Sequence, residues 1–150
     1  MYKRQGIKLV QYVFIERVDY EGYREIKDEF PELPTQKETR YQNEYGLSSY
    51  ESQIIASSKS MADFFESSLA SVKNYSLLAN WIIGDISAYL NKELIEIHES
   101  KLNPENIAML INRIDDQTIS GKIAKSIFEE MCMSGFSPDK IILLGNFFLS

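Results

Sequence analysis

At 150 residues the chain fits one domain, or a small domain with an arm. Hydrophobic residues make up 44% and charged residues 25%, enough apolar material for a real core. The net charge of −6 excludes a global attraction to nucleic acid or anionic membrane, so any RNA-binding role must rest on a local patch or on a partner.

In chain order, Met1-Tyr2-Lys3-Arg4-Gln5 reads as translated sequencing adaptor rather than native protein. Residues 7–15 are rich in β-branched and aromatic types and predict one strand. A lone strand without a partner is an orphan edge or an irregular arm. Residues 20–30 predict a short charged helix, and Pro31-Glu32-Leu33-Pro34 breaks it. Pro34 opens a helix to Tyr45, with Gly46 as its stop. Ser48 and Glu51 have capping-box spacing for a helix through Ile55. Ser57 or Ser58 caps the next, whose Met61, Phe64, Phe65 and Leu69 form a core-facing stripe.

Asn74 caps the longest helix, to about Lys92. Its apolar positions surround much of the cylinder, as expected of a central, buried helix. Gly84 inside it costs about 1 kcal/mol against alanine. Close approach by another helix is the expected compensation. Asn103-Pro104 caps and opens a helix carrying Ile107, Leu110, Ile111 and Ile114. Thr118 or Ser120 starts another, with Gly135 as its stop, and Ser137-Pro138 opens a last one. The expected fold is all-α, a bundle of five or six helices with an irregular N-terminal arm. Phe64, Trp81, Ile82, Ile86, Ile111, Ile123 and Phe128 should share one core. The expected organisation is an arm or linker over 1–33, partly non-native at 1–5, and a helical domain over 34–140. Residues 141–150 read as the truncated or non-native end of a tail module, because Leu143 to Leu149 is apolar where an exposed helix carries charge.

Catalytic signals are nearly empty. His98 is the only histidine, which excludes a histidine pair for zinc. Cys132 is the only cysteine, which excludes an intrachain disulfide and fits a reducing, cytoplasmic setting. Its place between two methionines reads as a buried, inert thiol. Asp115-Asp116 and Glu129-Glu130 read as solvated helix surface. No apolar run approaches the roughly 20 residues needed to cross a bilayer, and no signal peptide is visible. Ser120-Gly121-Lys122 is similar to the end of a Walker A loop, but the upstream glycine spacing is absent and no strand precedes it. Two readings stay open for it: a helix N-terminus at which Lys122 and Lys125 hold an anion or phosphate, and an ordinary solvated face. Lys73 and Lys92 are further candidate RNA-binding residues. Trp81 reads as a core anchor, because its neighbours are apolar. Tyr41 and Tyr45 beside Arg40 form a weak candidate for stacking on RNA. The residues predict no catalytic group and no metal site.

Several motifs agree in order and spacing with one family. They are Pro31-Glu32-Leu33-Pro34, Arg40-Tyr41, Tyr45-Gly46-Leu47-Ser48-Ser49-Tyr50 and Ala62-Asp63-Phe64-Phe65-Glu66. The run continues with Asn80-Trp81, Thr118 to Lys125, Phe128-Glu129-Glu130-Met131 and Ser137-Pro138-Asp139-Lys140. Between about Pro31 and Lys140 the chain resembles the C-terminal helical portion of the B subunit of the aspartyl/glutamyl-tRNA(Asn/Gln) amidotransferases. The resemblance implies a role in converting misacylated Glu-tRNA(Gln) or Asp-tRNA(Asn) to Gln-tRNA or Asn-tRNA. It implies ATP and magnesium for a full-length subunit, held by an N-terminal cradle domain whose motifs this chain lacks. It also implies three partners: tRNA, an amidase subunit and a small third subunit. For the helical part it implies binding of the tRNA body with no chemistry of its own. The alternative is a helical interaction domain that docks partner subunits without touching RNA.

Overall fold

The computed structural model describes residues 31–145. The strand expected at 7–15, the helix expected at 20–30 and the adaptor-like first five residues lie outside the described residues. Helices α1 (Pro34–Tyr45), α2 (Ser49–Ser57) and α3 (Lys59–Leu69) come first. Helix α4 (Tyr75–Trp81) then runs through a π-helical turn (Ile82–Ile86) into α5 (Ser87–Glu93), so one continuous rod spans Tyr75 to Glu93. A 3-10 turn (Ile97–Glu99) precedes α6 (Pro104–Asp115), α7 (Gly121–Ser134) and α8 (Pro138–Gly145). The described residues contain no strand and no helix long and apolar enough to cross a membrane.

The fold is all-α, as expected, but it has seven helical rods among the described residues rather than five or six. The cap and stop signals read from Pro34 on already delimit seven helices, and each of them forms. Ser58 is extended, closing α2 and capping α3, so 49–69 stays two short helices. Gly135, at φ +74°, stops α7 and lets Pro138 open α8.

The other caps act where their spacing placed them. The Glu51 amide donates to the Ser48 hydroxyl, and the Ser48 amide donates to the Glu51 carboxylate, closing a capping box. Asn74 accepts from the Leu77 amide, Asn103 from that of Glu105 and Ser120 from that of Ile123.

These helices share one core built around the Tyr75–Glu93 rod. Leu78, Ile82 and Ile86 of that rod are essentially fully buried. Phe65 of α3, Ile107 and Ile111 of α6, and Ile127 and Met131 of α7 pack into the same cluster. Trp81 and Phe128 meet edge to face at 5.7 Å. Six of the seven core residues expected from sequence are buried, whereas Ile123 is half-buried against the cluster's edge. Tyr41 is fully buried, and Tyr41 and Tyr45 both pack against Phe65. Tyr41 is therefore a core residue, unavailable for stacking on RNA, and Tyr45 is half-buried against the same cluster.

Helix α1 is polar, with Tyr41 as its one buried residue. Its hold on α3 runs through the Glu66 carboxylate. That group accepts from the Tyr41 hydroxyl at 2.6 Å, from the Arg40 guanidinium at 2.7 Å and from Lys37 at 3.3 Å. A second ion pair, Arg113 to Asp139 at 3.0 Å, ties α6 to α8.

Gly84 departs from expectation. An added Cβ there would meet nothing within 4 Å, so no helix approaches it. It lies instead on the exposed side of the π turn, where the Ser87 hydroxyl donates to the Ile82 carbonyl five residues back.

Gly84→Ala should accordingly stabilise the protein by about 0.5–1 kcal/mol in urea unfolding, because it removes unfolded-state freedom without a clash. A loss of stability would mean that the π turn needs glycine. Glu66 supplies a pH-dependent test. Burial raises its pKa, but the Tyr41 and Arg40 hydrogen bonds and the charges of Lys37 and Arg40 outweigh it, leaving the pKa below its ordinary 4.5. A carboxylate whose folded pKa is depressed stabilises above its unfolded pKa and loses that contribution as pH falls through the folded value. The stability gap between wild type and Glu66→Gln should thus be constant near neutrality and shrink below about pH 4.5. A gap independent of pH between about 6 and 3 would contradict this.

Candidate functional site

Helix α7 carries two of the four candidate lysines. Ser120 caps it, and its first turn contains no acidic residue. Stability alone favours acids at this end, where outward amides and the helix dipole are positive. Lys122 and Lys125 add positive charge there instead. Both are exposed, and Lys122 makes no ion pair among the described residues. Lys125 reaches Asp85 at 3.7 Å, across from the π turn.

That contact closes one end of a groove of about 520 Å³ between α5 and α7. Ala88, Tyr89 and Phe128 give it an apolar floor, and Tyr89 meets Phe128 edge to face at 6.2 Å. Asp85, Glu93, Glu129, Lys92 and Lys125 stand on its rim. The fold thus brings Lys92 and Lys125 to one groove, interleaved with three carboxylates. Lys122 sits one turn further toward the start of α7. Lys73 lies elsewhere, on the α3–α4 connection. Its amide donates to the Asn112 side chain of α6 at 2.9 Å. Its charge helps hold the Asp116 carboxyl below the usual range, a shift due first to hydrogen bonds from Thr118 and then, more weakly, to Arg113 and Lys73.

Cys132 is buried beside this groove, and burial, with Glu129 and Glu93 nearby, pushes its thiol up to about 12. It stays protonated at neutral pH and is no nucleophile. His98 is exposed on the 3-10 turn, beside a shallow pocket lined by Lys59, Asp63 and Glu96. No group of three or more His, Cys, Asp or Glu among the described residues is placed to hold a metal. The acidic rim was missed from sequence. Asp85 and Lys125 are forty positions apart, and only the placing of the π turn beside α7 joins them.

A family model described as the GatB domain matches residues 63–147, more than half of the chain. The chain belongs to the GatB domain family. The match takes in Lys73, Lys92, Lys122 and Lys125 and both walls of the groove. The B subunit of the aspartyl/glutamyl-tRNA(Asn/Gln) amidotransferase of Oceanobacillus iheyensis is 42% identical over 125 residues, 83% of this chain and 26% of that protein. The protein of the same name from Ectopseudomonas mendocina is 45% identical over 118 residues, 79% of this chain and 24% of that protein. One from Listeria monocytogenes is 42% identical over 117 residues, 78% of this chain and 25% of that protein. The chain therefore spans about a quarter of the length of these GatB relatives.

Proposed function

We propose that this chain is the tRNA-body-binding helical part of the B subunit of an aspartyl/glutamyl-tRNA(Asn/Gln) amidotransferase. The supporting observation is its identity of 42–45%, over about four fifths of its length, to proteins of that name. In this reading the chemistry, with ATP and magnesium, belongs to parts of the full-length protein outside the matched quarter. Ammonia comes from an amidase subunit, a small third subunit completes the assembly, and the whole works in the cytoplasm.

Such an enzyme must hold a large polyanion while its acceptor end reacts. A helical module can do this by shape and phosphate contact, without reading bases. Lys122 is the strongest candidate, because it stands at the positive end of α7 and makes no ion pair among the described residues. Lys125 shares its charge with Asp85, and Lys73 and Lys92 extend the candidate set. The carboxylates interleaved with Lys92 and Lys125 favour a second reading for the groove itself, in which it docks protein.

The test is an anisotropy titration of tRNA with the purified chain at two salt concentrations. Each lysine that meets a phosphate should, when changed to alanine, weaken binding alike across tRNA sequences and lower the salt slope by about one. Equal affinity and slope for wild type and Lys122→Ala/Lys125→Ala would remove these lysines from the RNA surface. ATP-dependent amidation by the chain alone would overturn the division of labour.

A further inference from the structure

The groove between α5 and α7 has a direction. Asp85 pairs with Lys125 at one end. Tyr89 meets Phe128 midway, and Glu93 acts on the Cys132 thiol toward the other end. The two walls therefore run parallel, from Asp85 to Glu93 on one side and from Lys125 to Cys132 on the other, about 11–12 Å of helix. Both helices also end together. Helix α5 stops at Glu93 and α7 at Ser134, so the negative ends of two helix dipoles lie near Glu93 and Met133, with Glu129 one turn before the end of α7. Lys101 answers part of this by donating to the Met133 carbonyl at 2.7 Å.

The same end exposes apolar side chains. Met133 on the rim is 65% exposed. Leu94, the residue after Glu93, is 89% exposed and holds a left-handed backbone at φ +57°. Glycine or asparagine usually fills that position, since a Cβ is disfavoured there. A leucine so placed gains nothing from the core of this chain.

We infer that the α5–α7 groove is a docking site for an amphipathic helix of a partner protein, laid antiparallel to both walls, with an apolar stripe flanked by basic residues. The apolar floor of Ala88, Tyr89 and Phe128 accepts the stripe. Glu93 and Glu129 accept the basic flanks, and the two α-helical C-termini face the positive end of the incoming helix. The length fits two turns in contact. RNA is the poorer occupant, because its phosphates would meet three rim carboxylates against two lysines, one of them already paired with Asp85. The groove shares Lys92 and Lys125 with the tRNA reading, whose strongest residue, Lys122, lies beyond it, so the neutral effect expected of Ala88→Arg on tRNA affinity separates the two.

The experiment uses the 150-residue chain, labelled with nitrogen-15, and a stapled helical probe peptide about three turns long, with leucines on one face and arginines beside them. A twin peptide carries glutamates in place of the arginines. The arginine peptide should shift amide signals over residues 85–94 and 125–134. It should bind about tenfold or more tightly than its twin. Ala88→Arg places a long charged side chain on the exposed floor and should weaken the peptide about tenfold or more without lowering the melting temperature. Glu129→Lys should narrow the preference between the twins. The inference is overturned by absence of peptide binding, by shifts confined to other surfaces, by equal binding to Ala88→Arg, or by equal binding of the twins. It is equally overturned if an RNA hairpin displaces the peptide and itself loses affinity in Ala88→Arg. Dimerisation of the free chain that Ala88→Arg abolishes would also overturn it, by making a second copy the occupant.

Discussion

Everything in this fold leans on the inner face of the Tyr75–Glu93 rod. Among the described residues none of the other helices is longer than the 14 residues of α7, and isolated helices of such lengths are marginal in water. Their stability comes from burying one face against a common partner. Leu78, Ile82 and Ile86 supply it, with Trp81 set against Phe128. The π turn lies in the middle of this rod. It shifts the register by one residue between α4 and α5, so each half presents its own face: α4 toward α6 and α3, and α5 toward the groove beside α7. The exposed side of the turn is free of packing, and its glycine is therefore not explained by space.

The surface is organised by charge rather than by charge excess. Glu66 gathers three donors and fixes a polar helix that has little core of its own. Arg113 and Asp139 join the two ends of the α6–α8 region. On α7, the positive groups Lys122 and Lys125 stand in the first half and the negative groups Glu129 and Glu130 past the middle, the reverse of the order the helix dipole favours. That polarity makes two different surfaces of one helix. Its start exposes Lys122, which makes no ion pair among the described residues, and its far half, facing α5, presents an apolar floor under carboxylates.

Much of the fold was legible because helix caps are local. Ser48 and Glu51 lie three residues apart, and the box they form needs no tertiary contact. Asn74, Asn103-Pro104, Ser120 and Gly135 were readable on the same ground. The helix count slipped although the stops themselves were visible. Features that depend on distant packing were not legible. Gly84 suggested a close helix contact and proved to sit in open space. Tyr41 looked available beside Arg40 and is buried against Phe65. The lysines were visible as residues, but nothing local says that Lys125 meets Asp85 or that Lys92 stands among carboxylates. Leu94 gave no warning of its left-handed backbone, since leucine is an ordinary helix former.

The central structural claim is that one core, built on the Tyr75–Glu93 rod, holds the helices of residues 34–145 as one cooperative unit. Trp81 is the only tryptophan in the chain and sits within that core, so its fluorescence reports on it directly. The decisive measurement is urea unfolding followed in parallel by Trp81 fluorescence and by helical circular dichroism. A single shared midpoint and slope is the predicted result for a two-state unit. A major loss of helix at a urea concentration where Trp81 fluorescence is still native would contradict the account, because it would mean that the surrounding helices do not depend on that rod.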